Sequence, residues 1–406
     1  MNANRGIRRS KLPAPSPSGR AGLLLIVIAG FAEAGCNGRL GQFTSLAMGG
    51  DGLGLVSYQD APNGLLKVAH CEDPSCTRAS LSAIDGPAPG EDVRVGWQSS
   101  IAIGIDGLGL ISYDGRRGLW VAHCEDAACS RAQTSQVDTD LFGLEANDIA
   151  IGRDGLGLIV YGDSYALRMA HCEDVACTRA TLSRLASGPG SSSDDTSFAA
   201  LAIGSDGLGM IAYHAEDALK VAHCEDTACT SATFSIIDTA PAVGQYPSIA
   251  IGVDGLPLIS YWDLPARGLR VAHCADIRCT SADSISTVDL GGPNGTVGTY
   301  TSLAIGPDGQ ALVGYKGSTT SHYSAQDLRV AHCQGLACRT AVVSTVDHTP
   351  GFDLGEYSSI AFGPDGLALI SYLGELGYQP ESLRVAKCLD LACTRATISL
   401  IDVAIP

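Results

Sequence analysis

The chain has 406 residues, of which 45% are hydrophobic and 17% charged, with 49 glycines and a net charge of −17. Charge this sparse excludes a disordered chain or a coiled coil, and the glycine content suits a turn-rich all-β protein with a substantial core. The acidic balance would repel phosphate backbones, so nucleic acid is not an expected partner.

Residues 1–35 read as an export signal and stand outside the fold. A basic stretch (Arg5, Arg8, Arg9, Lys11, Arg20) precedes an apolar run from Ala21 to Ala32 that is too short to span a bilayer. Ala32-Glu33-Ala34 fits cleavage by an ordinary signal peptidase, and Ala34-Gly35-Cys36 fits the end of a lipobox, although Glu33 stands where Leu is usual. Removing residues 1–35 leaves 21 basic and 42 acidic residues, a net charge of −21.

Self-similarity organises everything downstream. Ala-His-Cys-Glu-Asp-x-x-Cys occurs at 69–76, 122–129, 170–177 and 222–229, with looser copies at 272–279, 331–338 and 386–393. An Asp-Gly pair precedes each copy, at Asp51, Asp106, Asp154, Asp206, Asp254, Asp308 and Asp365, at intervals of 55, 48, 52, 48, 54 and 57 residues. Each copy carries four strand candidates in fixed order. In the fifth these are Ser248–Ile251, a tight turn at Asp254-Gly255, then Leu256–Tyr261, Leu269–Cys274 and Cys279–Asp289.

A four-stranded unit of this length, present seven times, predicts an all-β fold: a seven-bladed β-propeller of four-stranded antiparallel blades. A tether at 36–40 leads into one propeller domain, 41–406, with blades at about 41–85, 96–138, 147–187, 198–238, 246–289, 300–347 and 357–402. Whole blades at both ends predict ring closure by packing, not by one blade shared between the termini. The blade order, with Pro307-Asp308-Gly309 and Pro364-Asp365-Gly366, resembles that of WD40 and YVTN-like propellers. The resemblance covers residues 41–402 and implies architecture alone. No Trp-Asp ends the third strand, and no sialidase-type box appears.

Fourteen of the fifteen cysteines form seven Cys-x4-Cys pairs: Cys71/Cys76, Cys124/Cys129, Cys172/Cys177, Cys224/Cys229, Cys274/Cys279, Cys333/Cys338 and Cys388/Cys393. Flanking the turn between the third and fourth strands, each pair is at disulfide distance, and export supplies an oxidising compartment. The rival is a metal held by His-Cys-x4-Cys. Against it, adjacent His and Cys in a strand point to opposite faces, and the seventh copy has Lys387 in place of His. No metal and no cofactor is expected. The leftover Cys36 needs a role, and lipidation provides one. The expected location is the cell envelope, as a lipoprotein of the outer membrane or cell surface, with a secreted or periplasmic protein as the alternative; a monomer is expected.

The Asp-Gly and Cys-x4-Cys turns hardly vary and share one face of the ring. The opposite face carries the crossovers between blades and the loops after the second strands, which vary greatly and are where recognition is expected. The repeated Glu-Asp after the first cysteine reads as turn chemistry. Seven tyrosines ending the second strands (Tyr58, Tyr113, Tyr161, Tyr213, Tyr261, Tyr315, Tyr372) read as inter-blade packing, with sugar or peptide stacking as the sharper reading. Unrepeated polar and aromatic residues are the candidate ligand-binding set: Trp97, Glu145, Asp163, His214, Glu216, Trp262, Asp263, His322, Tyr323 and Tyr378. No catalytic residue is assigned, because no nucleophile elbow, phosphate loop or zinc motif is present. The expectation is therefore a non-enzymatic binding or adhesion module for an extracellular glycan, peptide or envelope protein. The alternative is a secreted enzyme acting on carbohydrate or another polymer through loop carboxylates.

Overall fold

The computed structural model describes residues 40–88, 95–139, 144–163, 166–187, 198–292, 295–318, 326–376 and 379–404. The export signal, Cys36, His322, Tyr323 and Tyr378 lie outside the described residues. Seven four-stranded antiparallel sheets follow one another along the chain, each built from four consecutive strands. In blade 1 these are Leu40–Met48, Gly54–Asp60, Leu65–Cys71 and Ala79–Asp85. This is the seven-bladed propeller that the repeat predicts.

Alternation explains the layers. Second and third strands are buried on both faces, as in Gly54–Asp60, whereas the fourth strand alternates exposed and half-buried residues as an outer edge should. Each blade interface is then a core of its own, in which Val56, Tyr58 and Ala69 of blade 1 pack against Leu369, Leu383 and Val385 of blade 7. Both terminal blades are whole. Leu40 pairs with Asp60 of its own blade, and the last strand, Ala396–Val403, pairs with Gln379–Cys388. Closure comes from packing and side-chain bonds, such as the Tyr58 hydroxyl donating to Asp402 at 2.7 Å.

All seven disulfides are formed, Cys71–Cys76, Cys124–Cys129, Cys172–Cys177, Cys224–Cys229, Cys274–Cys279, Cys333–Cys338 and Cys388–Cys393, with Cα–Cα separations of 4.8–4.9 Å. The pairing is as expected, but the placement of the second cysteine is corrected in every blade. Cys76, Cys129, Cys177, Cys229, Cys279, Cys338 and Cys393 do not open the fourth strands. Each sits inside the turn in the left-handed region, at φ 47–52°. The fourth strands begin three residues later, at Ala79, Ala132, Ala180, Ala232, Ala282, Ala341 and Ala396. The disulfides therefore staple the end of a third strand to its own turn and do not bridge two strands. The reason is local: a left-handed residue lets six residues reverse the chain while its sulfur still faces the partner. The amide of each also closes the turn, as when Cys76 donates to the Asp73 carbonyl and Cys338 to that of Gly335.

The histidine before the first cysteine turns the other way, onto the Asp-Gly aspartate, as in His70–Asp51 at 2.8 Å. Lys387 keeps this pair with Asp365 at 2.7 Å, which explains why a poor metal ligand can stand there. The Asp of Glu-Asp is turn chemistry: Asp73 accepts from the Ser75 amide at 2.9 Å, and its Thr77 bond holds its carboxyl below the usual range.

The tyrosines are inter-blade latches. Tyr113, Tyr161, Tyr261, Tyr315 and Tyr372 donate to Asp85, Asp138, Asp238, Asp289 and Asp347 of the preceding blade at 2.6–2.8 Å. Tyr213 is the exception, because Ala186 occupies the register position that carries aspartate elsewhere.

Candidate functional site at the channel mouth

The seven first strands line the ring axis, and their starting ends lie on the variable face, where Leu40 meets Asp60 at the end of the second strand. In five blades that start is bulged. Gly41-Gln42-Phe43, Gly96-Trp97-Gln98, Gly244-Gln245-Tyr246, Gly298-Thr299-Tyr300 and Gly355-Glu356-Tyr357 all break the register with the second strand or enter it there. The glycines are at φ 84–96° and cross closely over the preceding blade: a Cβ on Gly244 would lie 2.7 Å from Leu219 Cα. Two residues later, Phe43, Gln98, Tyr246, Tyr300 and Tyr357 are also left-handed, at φ 51–54°. Bulky residues adopt that conformation at a cost of roughly 1 kcal/mol each. The strained bulges place these side chains at the mouth of the channel.

The result is an arc of aromatic rings. Phe198–Tyr246, Tyr246–Tyr300, Tyr300–Tyr357, Tyr357–Phe43 and Phe43–Trp97 have centroid separations of 4.3, 4.6, 4.8, 4.5 and 5.1 Å. Trp262 stands beside Tyr246 at 6.2 Å. The arc bounds a cavity of about 270 Å³, lined by three consecutive residues from each blade, in its first strand or, for Phe198, just before it. It opens between blades 2 and 3, where Gln98 and Ala146 hold the ring positions.

Two belts of hydrogen bonds hold the cavity wall. Ser359, Ser45, Ser100, Ser248 and Ser302 accept through Oγ from Leu46, Ile101, Ile149, Leu303 and Ile360 of the next blade, at 3.0–3.4 Å. The second belt secures the ring carbonyls: Thr44, Ser99, Thr301 and Ser358 donate to Tyr357, Phe43, Tyr246 and Tyr300, and the Asn147 amide donates to Gln98. Blade 3 puts Asp148 at the serine position, accepting from Ser100 Oγ at 2.7 Å and the Leu201 amide at 2.8 Å. Surrounded by protein except along the channel, its carboxyl is raised by burial.

A collar of unrepeated residues surrounds the arc. Trp97 pairs across strands with Asp114, Gln245 with Trp262, Thr299 with Lys316 and Glu356 with Leu373. Cross-strand partners share a sheet face, which sets Asp114 beside Trp97. Burial pushes the Asp114 carboxyl up to about 6, against one hydrogen bond from the Leu144 amide. Lys316 bridges Glu356 at 2.6 Å and Asp353 at 2.8 Å, and lies 5.8 Å from the Tyr300 ring. Burial and the Glu356 carboxylate drive the Tyr300 hydroxyl far above its ordinary range.

The candidates named from the sequence are placed as follows. Trp97, Glu145, His214 and Trp262 belong to the collar: the Glu145 amide bonds to Gly162 and the His214 amide to Phe198. Asp163 and Asp263 end second strands farther out. Asp263 is buried and bound to Arg270 at 2.7 Å, while the side chain of Asp163 lies outside the described residues. Glu216 is an exposed partner of Lys220 in a loop. Sequence reasoning missed Phe43, Gln98, Phe198, Tyr246, Tyr300 and Tyr357, together with Asp114, Asp148, Lys316 and Glu356. The signal for the ring was the Gly-x-Phe/Gln/Tyr that enters five of the seven first strands.

No family model matches the sequence, and no match to a curated protein reaches significance. Among solved structures, the fold is similar to that of a protein of unknown function from Dyadobacter fermentans, at 12% identity and TM-score 0.52, covering 86% of this chain and 94% of that one. It is also similar to an ulvan lyase of a new polysaccharide lyase family, at 10% identity and TM-score 0.55, covering 90% and 94%. The NanB sialidase from Streptococcus pneumoniae is similar at 10% identity and TM-score 0.50, covering 86% and 67%. At these identities the likeness is one of fold.

These structures correct the expectation of a non-enzymatic binding or adhesion module. That expectation rested on the lack of a contiguous catalytic motif. The ulvan lyase removes the premise: a chain covered over 94% of its length by this fold is a polysaccharide lyase. A propeller needs no such motif, because its blades bring residues from distant parts of the chain to one mouth.

Proposed function

We propose that the chain is an exported carbohydrate-active enzyme whose substrate lies on the aromatic arc and is cleaved by proton transfer at the polar opening between blades 2 and 3. The observation that carries this is the juxtaposition of Trp97, at the end of the arc, with Asp114, whose carboxyl burial pushes up to about 6. Sugar rings present C–H faces that stack on aromatic faces, and a stacked ring at Phe43 and Trp97 would set its linkage over the opening. A carboxyl raised by burial can both give and take a proton near neutral pH, which is what acid–base cleavage of a glycan requires. Gln98, whose amide donates to the Glu145 carbonyl at 3.3 Å, and Asn147 offer polar contacts to sugar hydroxyls there. Seven disulfides support action outside the cytosol, and the ulvan lyase and sialidase support glycans as the substrate class.

The test is a panel of soluble and cell-wall polysaccharides incubated with the mature protein, with products read by mass spectrometry. Unsaturated ends would mark elimination; new reducing ends without unsaturation would mark hydrolysis. Retention of every glycan without any product would sink the proposal.

A further inference from the structure

We propose that the glycan taken by this mouth carries free amino groups, so that a cationic sugar, not a neutral or uronate one, is its preferred occupant. The inference rests on the arc being the binding site, and it goes further by assigning the charge of what binds. Among the described residues lining the cavity, none is basic and one is acidic, Asp148. The rest of the wall is aromatic faces, hydroxyls and amides.

Aromatic faces are electron-rich and attract cations, more strongly when water is excluded. The mouth already shows this preference in Lys316, held near the Tyr300 ring. That lysine is not available to an anion, because Asp353 and Glu356 both engage it. Other cations of the blades are likewise committed to aspartates: Arg116 to Asp85, Arg270 to Asp238 and Asp263, and Arg384 to Asp347. Arg117 and Arg267 are exposed on the outer loops, and neither lines the cavity.

A polyanion would therefore enter a mouth that offers carboxylates and π faces and no uncommitted cation in its described lining. The net charge of −17 opposes its approach as well. An ammonium group meets the reverse situation: rings on one side and the Asp148 carboxyl on the other, which the bound cation would hold ionised.

Calorimetry on the mature protein decides this with three tetramers of matched length: glucosamine, N-acetylglucosamine and galacturonate. The expected order is glucosamine tightest, with at least about a tenfold loss on acetylation and a larger one for the uronate. Raising salt should weaken the glucosamine tetramer most. Asp148→Asn should narrow the amino-to-acetyl ratio to under about threefold. If that variant does not fold, Tyr300→Leu gives the same reading, since it removes one cation-attracting face. Equal binding of the acetylated tetramer, tighter binding of the uronate, or binding of none of the three overturns the inference. Binding is read separately from turnover. An amino tetramer that binds and is never cut overturns the enzyme reading and leaves this one standing; a uronate polymer that is cut does the opposite.

Discussion

Blades 1, 2, 5, 6 and 7 differ from blades 3 and 4 in how the chain enters the first strand. The five enter through a left-handed glycine and a second left-handed residue, and four of them place an aromatic ring at the mouth. Blade 3 enters in unbroken register, Ala146 opposite Gly162, and blade 4 pairs Ala199 with Tyr213 without a bulge. The same two blades lack other parts of the frame: Ala186 replaces the latch aspartate, and Ala199 and Ala200 replace belt hydroxyls. The molecule thus has a strained side of bulged entries, whose arc Phe198 of blade 4 extends, and a plainer side of unbulged entries, with the acids Asp114 and Asp148 near the polar gap between blades 2 and 3. Strain concentrated where rings face the channel is what a site held by its scaffold looks like.

The largest expected effect comes from the junction. Asp114→Asn should lower kcat by about 100-fold or more while the affinity for uncleaved glycan stays within about threefold. The wild-type rate should show a limb near pH 6, and steady-state pH profiles should find it missing in the variant. The same carboxyl makes a stability prediction. Its folded value is raised, to about 6 from 3.8, so the protonated form favours the fold. Its contribution is fully present below about pH 4 and is lost as pH rises through 6; urea midpoints across that range should fall less in Asp114→Asn than in wild type.

The bulges can be broken directly. Gly244→Ala should cost about 2 kcal/mol or more, because it combines a Cβ in the left-handed region with contact on Leu219 backbone. The unbulged entry of blade 3 has Leu144 at that position and needs no glycine. An unchanged unfolding midpoint in Gly244→Ala would show that the crossing can relax.

The latches give a paired test. Tyr261→Phe removes a buried donor from Asp238 and should cost about 1–2 kcal/mol in denaturant titrations, whereas Tyr213→Phe, with no aspartate opposite, should fall within about 0.5 kcal/mol of wild type. Equal losses would mean that ring packing, not the hydroxyl, carries the latch. The smallest effect runs the other way. Ala200→Ser supplies the missing belt acceptor for the Ile249 amide and should stabilise by about 0.5 kcal/mol, visible as a small rise in Tm.

Much of the frame was legible because it is repeated. Seven Asp-Gly turns, seven tyrosines and seven cysteine pairs announced the blade and its strand order, and their recurrence removed them from the list of reacting groups. The cysteine spacing announced partners but not conformation: nothing in Cys-x4-Cys says that the second residue is left-handed and ends a turn instead of starting a strand. Part of the collar was legible too: Trp97, Glu145, His214 and Trp262 stood out as unrepeated residues next to repeated ones. The aromatic ring was not legible. Phe43, Tyr246, Tyr300 and Tyr357 precede their first strands by one or two residues in a reading that starts each strand at its β-branched run. A bulge shifts register without changing composition, so no alternation pattern marks it. Asp114 was hidden for another reason: it follows Tyr113 in a loop that reads as Asp-Gly-Arg-Arg-Gly, a turn signal that masks the carboxylate.

Residue spacing alone set the number of blades, the four-strand unit, the disulfide partners and the face that varies. Each follows from local spacing, which recurs often enough to be read without coordinates. The tertiary structure decided which residues meet at the axis, which carboxyl holds its proton near neutrality and which cations are already taken. Those depend on groups from up to seven blades converging on one cavity, and on burial, which spacing along the chain does not encode.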